Sequence, residues 1–101
     1  MENFLNYYND LARPIYISDC MAATNNNCFG YYDENTINTP YKANLTLDQR
    51  GVCLIGKSNS NLGHFYTVIC IPIGETKIFM WSKYTENGIG HIYDWRTIWS
   101  N

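Results

Sequence analysis

Cysteine and histidine are the residues of this chain that could support hydrolytic chemistry. His64 follows a glycine at the head of the apolar run GHFYTVICIPIG, a position from which a histidine can act as a catalytic base. Cys20 is the candidate nucleophile, because a helix opening at CMAAT would lower the pKa of its thiol. Asp94 or Asn59 would then orient the imidazole. This arrangement is the enzyme interpretation of the sequence.

The sequence around Cys20 argues against that interpretation. The order of cysteine, histidine and polar residue resembles papain-like peptidases. Only the four residues MAAT, however, separate Cys20 from an asparagine triplet that begins at Asn25. That spacing leaves too little chain for the helix that carries such a nucleophile. Cys53 and Cys70 lie in apolar strand patterns and are predicted to be small core residues. We therefore expect no catalytic residue, no enzyme activity, and a His64 that simply begins a core strand.

Composition excludes several other classes of function. The four cysteines contain no C-x-x-C pair and the two histidines have no clustered carboxylates, so we predict neither a metal site nor a cofactor. Seven basic and nine acidic residues give a net charge of -2 without a basic cluster, so nucleic-acid binding is not expected. No apolar run approaches the roughly 18–20 residues of a membrane span, and the N-terminus lacks the features of a signal peptide. We expect no membrane insertion, and synthesis in a cytoplasm where thiols stay reduced.

The fold that positions these residues is predicted to be mainly β. Residues 2–12 are predicted to form a short helix that Pro14 ends, and residues 1–27 are this helix with a connecting segment. Residues 28–101 are predicted to form a β knob, a small antiparallel sandwich or barrel, within one compact domain. Its strands are expected at CFGYY, GVCLIG, HFYTVICIPI, residues 76–84 and HIYDWRTIW, with a turn at Asn87-Gly88.

The strand from Phe65 to Pro72 is apolar on both faces. A strand of this kind is central in its sheet or is covered by a second surface. In a chain of 101 residues that surface is either a second layer of the same molecule or a neighbouring subunit, and the sequence leaves both interpretations open. Association would add stability to so small a domain, which buries only about two-thirds of its unfolded surface.

The last strand carries a large aromatic residue between two charged ones. Trp95 and Thr97 share one strand face, and the other face carries Asp94, Arg96 and Ile98. We predict that Trp95 faces the core while its charged neighbours face solvent. Because a straight strand would expose Ile98, we also predict that the strand bends or ends near Thr97 and that Ile98 packs back against the sheet.

The order of the motifs from Cys28 to the C-terminus resembles a known family. The motifs are FGYY, an NTPY turn, the strands GVCLIG and HFYTVICIPIG, the aromatic strand KIFMWSKY and the ending DWRTI. They are similar in order and spacing to the C-terminal knob domains of bacteriophage tail fibres and pyocin-type fibres, which bind receptors. Trp81 stands where the hairpin of that family usually carries an arginine, so the role of that arginine is not carried over.

The resemblance implies a non-enzymatic virion protein that is assembled in the host cytoplasm. Such a protein would form a homotrimer at a fibre tip and bind a glycan or protein of the host surface. Aromatic rings would stack on sugar faces, and we expect the ligand contacts to come from Tyr31, Tyr32, Tyr41, Trp81 and Tyr84. Two alternatives remain at this point: the Cys–His hydrolase, and a small phage protein that blocks a host defence protein.

Overall fold

A computed structural model describes residues 13–60 and 63–100 of the chain. The regular structure of this part consists of six strands, which confirms the mainly β character predicted from the sequence. The helix predicted over residues 2–12 lies outside the described residues. The strands are β1 (Ile15–Tyr16), β2 (Cys28–Tyr32), β3 (Gly51–Ser60), β4 (Gly63–Pro72), β5 (Lys77–Glu86) and β6 (Ile89–Ser100).

The six strands form a single sheet in the order β1-β2-β3-β4-β5-β6. β2 to β6 are antiparallel to their neighbours, whereas β1 runs parallel to β2. The described residues thus form one mixed sheet, and the predicted antiparallel sandwich or barrel is not seen among them. The reason is that β3 to β6 stay in one continuous meander, while residues 33–50, which would have to supply a second sheet, are irregular.

Local turn chemistry explains the meander. Asn87 and Gly88 both have positive φ, 53° and 77°, and they connect the paired residues Glu86 and Ile89. Two central residues with positive φ make the type I′ turn, whose twist matches that of the flanking strands. The predicted Asn-Gly turn is therefore confirmed, and it fixes the register between β5 and β6.

One face of the sheet is covered by the irregular segment of residues 17–27, and we call it the covered face. Ile17 and Cys20 of this segment belong to the buried core. The prediction that Cys53 and Cys70 are core residues is confirmed, since both are fully buried. The strand residues of this core cluster are Tyr32, Cys53, Ile55, Val68, Cys70 and Trp81.

Residues 33–50 hold the covering segment in place through buried hydrogen bonds. The Thr36 hydroxyl donates to the carbonyl oxygen of Ile17 at 2.7 Å, and the backbone N–H of Cys20 donates to the carbonyl oxygen of Ile37 at 3.2 Å. Asp19 and Ile37 also form an isolated parallel bridge. Because buried backbone groups need partners, these bonds allow irregular chain to serve as the layer above the sheet.

The opposite face of the sheet is apolar and has no layer over it among the described residues; we call it the open face. Phe29, Leu54, Ile69 and Met80 form one row across β2 to β5, which spans about 14 Å. Leu54 in the middle of this row is 46% exposed. We define the open face by Phe29, Tyr31, Val52, Leu54, Ile69, Ile71, Ile78 and Met80.

The predicted orientation of Trp95 is confirmed. Its side chain is partly buried and packs against the core cluster, while Asp94 and Arg96 are exposed. The indole Nε1 of Trp95 is buried and has no hydrogen-bond partner. Packing of the ring therefore stabilises this position despite the cost of a desolvated N–H.

The prediction for Ile98 is only partly correct. The register of β6 shifts between the pairs Ile78–Trp99 and Phe79–Thr97, so the strand is irregular at Ile98, near the predicted bend. The strand nevertheless continues to Ser100, and Ile98 is 45% exposed instead of packing back.

The close approach of β3 to the core can be tested at Gly51. A Cβ added there would lie 2.5 Å from the Tyr32 hydroxyl oxygen and would also press on the carbonyl oxygen of Ile71. We expect Gly51→Ala to lower the free energy of unfolding by about 1–3 kcal/mol. Denaturant unfolding followed by tryptophan fluorescence measures the change.

Gly56 on the same strand is the matched control. A Cβ added to it meets nothing within 4 Å. Gly56→Ala should therefore leave the stability unchanged or raise it by up to about 1 kcal/mol, since glycine weakens a strand interior. Equal losses for the two variants would contradict the packing assigned to Gly51.

Candidate functional site

A cleft of about 630 Å³ lies between the covering segment and the ends of β3, β4 and β5. Its central row is Lys57, Tyr66 and Lys83, which are direct partners on the three strands. Trp81 lies one row further into the core, and His64 lies one row nearer the strand ends. The row alignment brings together residues that are far apart in the sequence, so the cleft exists only because of the strand register.

Tyr66 joins the sheet to the wall of the cleft. Its hydroxyl donates to the carbonyl oxygen of Cys20 at 2.5 Å and accepts from the Asn25 side-chain amide at 3.0 Å. The same amide donates to the carbonyl oxygen of Asp19 at 2.7 Å. Burial raises the pKa of Tyr66 to about 12, despite the opposing effect of the bond from Asn25. Tyr66 therefore stays a neutral donor at physiological pH and holds the wall.

Lys57 fixes the outer part of that wall. Its ammonium group donates to the carbonyl oxygen of Ala23 at 3.0 Å, and its backbone N–H donates to the Asn27 side-chain oxygen at 2.6 Å. These bonds join β3 to the covering segment at Ala23 and Asn27, the positions two residues before and two residues after Asn25. The wall is thus attached to both β3 and β4, which holds it against the sheet.

The lining of the cleft is cationic. Lys57, Lys83 and His64 line it, and among the described residues no aspartate or glutamate does. Asp19 is nearby, but its carboxylate oxygen accepts from the backbone N–H of Met21 and from the Asn38 side chain, both at 2.9 Å. In a chain of net charge -2, this is a local reversal of charge.

Aromatic rings form the inner end of the cleft. Tyr66 and Trp81 meet edge to face with ring centroids 6.2 Å apart. Trp81 is only 7% exposed, so the cleft reaches the edge of its indole and not the whole ring face. The cleft therefore offers one apolar end and one cationic end to a small polar molecule.

The five residues predicted to bind ligand do not form one site. Tyr32 and Trp81 belong to the core, with Tyr32 only 2% exposed, so neither presents a free ring face to a sugar. Tyr31 and Tyr84 alternate to the opposite side of the sheet. Tyr31 belongs to the open face, and its ring is tilted against that of Tyr16 with the ring centroids 5.4 Å apart. Tyr41 lies in the irregular segment of residues 33–50, where its hydroxyl accepts from Gln49 at 3.2 Å.

The cysteine proposed as a nucleophile is a core residue. A hydrogen bond with Cys53 lowers the pKa of Cys20, but a hydrogen bond with Cys70 and burial outweigh it, so the pKa lies well above its ordinary value. Such a thiol forms little thiolate. His64 is exposed at the beginning of β4, and the backbone register places Asn59 opposite it. Cys20 instead lies in the core and Asp94 is exposed on β6, so the four residues do not form one group.

Within residues 13–60 and 63–100, no three histidine, cysteine or acidic side chains lie close enough together to hold a metal ion. In the same ranges, no helix has the length and apolar character needed to cross a membrane.

Comparisons with known proteins find no relative of this chain. Models of protein families, curated protein sequences and solved structures were each compared with it, and none matches.

The burial of the cysteines predicts their reactivity. Cys20, Cys53 and Cys70 are buried, while Cys28 is only partly buried. We expect iodoacetamide to modify native Cys28 first and the other three thiols at least about tenfold more slowly, because they react only after local opening. Mass spectrometry of timed samples measures the rates, and Cys28→Ser should remove the fast phase. A fast-reacting Cys20 that becomes slow in His64→Ala would contradict this picture.

Proposed function

We propose that this chain is a non-enzymatic fibre-tip module of a bacteriophage that associates with copies of itself and binds a host surface saccharide. It would belong to the virion and be assembled in the host cytoplasm. The open face is the observation that carries this proposal. The resemblance of the sequence from Cys28 onward to fibre knob domains supports the fibre role and a homotrimer.

The size and continuity of the open face support association. Its row from Phe29 to Met80 crosses four strands without a break. A second row, formed by Tyr31, Val52 and Ile71, extends it. Contiguous apolar surfaces of this extent mark interaction sites in soluble proteins. The two-sided apolar pattern of β4 thus has a physical purpose if another molecule covers the second side.

The charge of the open face favours a second copy as its occupant. Among the described residues of β2 to β5, the positions that alternate to this side carry one charged residue, Glu86 at the very end of β5. Arg96 of β6 lies beside Met80 and donates to the Ser82 hydroxyl, so the charges on this side stand at its edges and copies can pack on the uncharged rows between them. Around a three-fold axis, the open faces of three copies would meet and form a shared apolar core between subunits, in place of the second layer that is not seen among the described residues of one chain.

The cleft supports ligand binding by the same assembly. Its central row alternates to the covered face, whereas the apolar rows that would pack between subunits lie on the open face. Association through the open face would leave Lys57 and Lys83 accessible. The cleft is the proposed saccharide site, in place of the scattered tyrosines expected from the sequence.

Light scattering at several concentrations tests the association. We expect a mass of three times the 11.7 kDa of one chain. Leu54→Glu should reduce it to one chain, because each buried glutamate would be desolvated without a partner. Since Leu54 is already 46% exposed in the single chain, this substitution should leave the fold of the subunit intact, as circular dichroism would show.

Leu47→Glu is the matched control. Leu47 is 91% exposed in the irregular segment before β3 and lies outside the open face, so the same charge there should leave the mass unchanged. A wild-type protein that stays a single chain at all concentrations would overturn self-association. A Leu54→Glu protein that is folded and still associates would show that another surface is used.

A further inference from the structure

We propose that the cleft selects an acidic saccharide, one whose sugar carries a carboxylate, as in uronic and sialic acids. This inference rests on the proposed function, because it names the ligand class of the saccharide site. The juxtaposition that carries it is a row of two lysines on either side of Tyr66, beside the edge of Trp81 and with no acidic side chain among the described residues of the lining.

The two lysines have complementary roles in the geometry. Their backbones lie two strands apart, about 10 Å, so both ammonium groups can reach a ligand placed over Tyr66. Lys57 already donates one hydrogen bond to the carbonyl oxygen of Ala23, and an ammonium group has two further donors. Its position is therefore set before a ligand arrives, which reduces the entropy lost on binding.

Lys83 supplies a charge that the protein does not neutralise. It is exposed, and no acidic side chain of the described residues forms an ion pair with it. His64 is one row away, so the cationic end of the cleft holds up to three basic groups. A carboxylate placed between the lysines would gain charge-assisted hydrogen bonds, which are about twice as strong as neutral ones.

The remainder of the cleft fits the sugar rather than the acid group. The half-buried ring of Tyr66 and the exposed edge of the Trp81 indole offer a small apolar surface for the C–H groups of a pyranose. Asn26, Ser58 and Thr85 also line the cleft and have the donors and acceptors that hydroxyl groups need. A volume of about 630 Å³ lies within the roughly 300–1,000 Å³ of small-ligand sites.

A simple anion site or a nucleic-acid site fits less well. Two lysines neutralise too few phosphates to hold a nucleic acid at physiological salt. An anion alone would leave the aromatic end of the cleft without a contact. The commitment is therefore to a sugar and a carboxylate in one molecule.

The test uses the full chain and an immobilised panel of uronic-acid and sialic-acid oligosaccharides. Each oligosaccharide is paired with its carboxyl-reduced form, which has the same sugar framework with an alcohol in place of the acid. We expect at least one acidic glycan to bind about tenfold or more tightly than its reduced form. Its binding should weaken as salt is raised, because exposed charges are screened.

Lys83→Met removes the unpaired charge and keeps the length of the side chain. For the acidic glycan we expect a loss of about tenfold in affinity, and for the reduced form no change. Lys77→Met is the matched control, since Lys77 is an exposed lysine of the same strand that does not line the cleft. It should bind the acidic glycan as the wild type does.

The outcomes separate this inference from the proposed function. Equal binding of acidic and reduced glycans, or an acidic glycan whose affinity is the same in Lys83→Met, would overturn the acidic selectivity and leave saccharide binding standing. Competition by inorganic phosphate or acetate alone, as effective as the whole glycan, would show an anion site without sugar recognition and would also overturn it. Failure of every glycan to bind would overturn both the inference and the binding role, while light scattering still decides self-association.

Discussion

The contact between residues 17–27 and the sheet is the interaction on which the rest of the structure depends. β4 is apolar on both sides, so the strands by themselves do not determine which side becomes the core. Ile17 and Cys20 settle the choice by packing on one side, and the bond from Tyr66 to the carbonyl oxygen of Cys20 holds them there. The same contact creates the wall of the cleft and leaves the open face without a cover among the described residues. The positions of the core, of the cleft and of the apolar surface all follow from the packing of residues 17–27 on one face of the sheet.

Local features of the fold could be predicted from the sequence, and the choice between faces could not. The strands after Gly51 follow from apolar runs and from the Asn-Gly turn, which act over a few neighbouring residues. Alternation also placed Phe79 and Trp81 on one side of β5, but the neighbouring Ile78 and Met80 are apolar too. With apolar residues on both sides, Trp81 could be assigned to a surface when it belongs to the core. That decision is made by a segment far away in the sequence.

The cleft could not be predicted for a related reason. Lys57, Tyr66 and Lys83 lie on three strands, and no spacing in the sequence marks them as a group. They become neighbours only when the β3–β4 and β4–β5 registers are known, and a shift of one residue would turn Tyr66 to the other face. The surroundings of Cys20 could not be predicted either: the sequence showed only that the chain after it is too short for a nucleophile-bearing helix, whereas a long-range hydrogen bond to Ile37 holds it in irregular chain. The sequence showed which residues could take part in chemistry, but it did not show which residues would lie next to them in the fold.

In the proposed trimer, association and recognition would use opposite faces of the sheet, and this separation would have an energetic consequence. A cleft that meets one sugar unit makes few contacts, so its affinity alone is weak. Three such clefts on one rigid tip convert later binding events into intramolecular ones, which raises avidity by about 10²–10⁴ without any new contact. The apolar rows on the open face would then matter for recognition although they touch no sugar, because they set the number and spacing of the clefts. Weak individual sites on a strongly associated scaffold also suit a surface of repeating saccharides, where the ligand itself is multivalent.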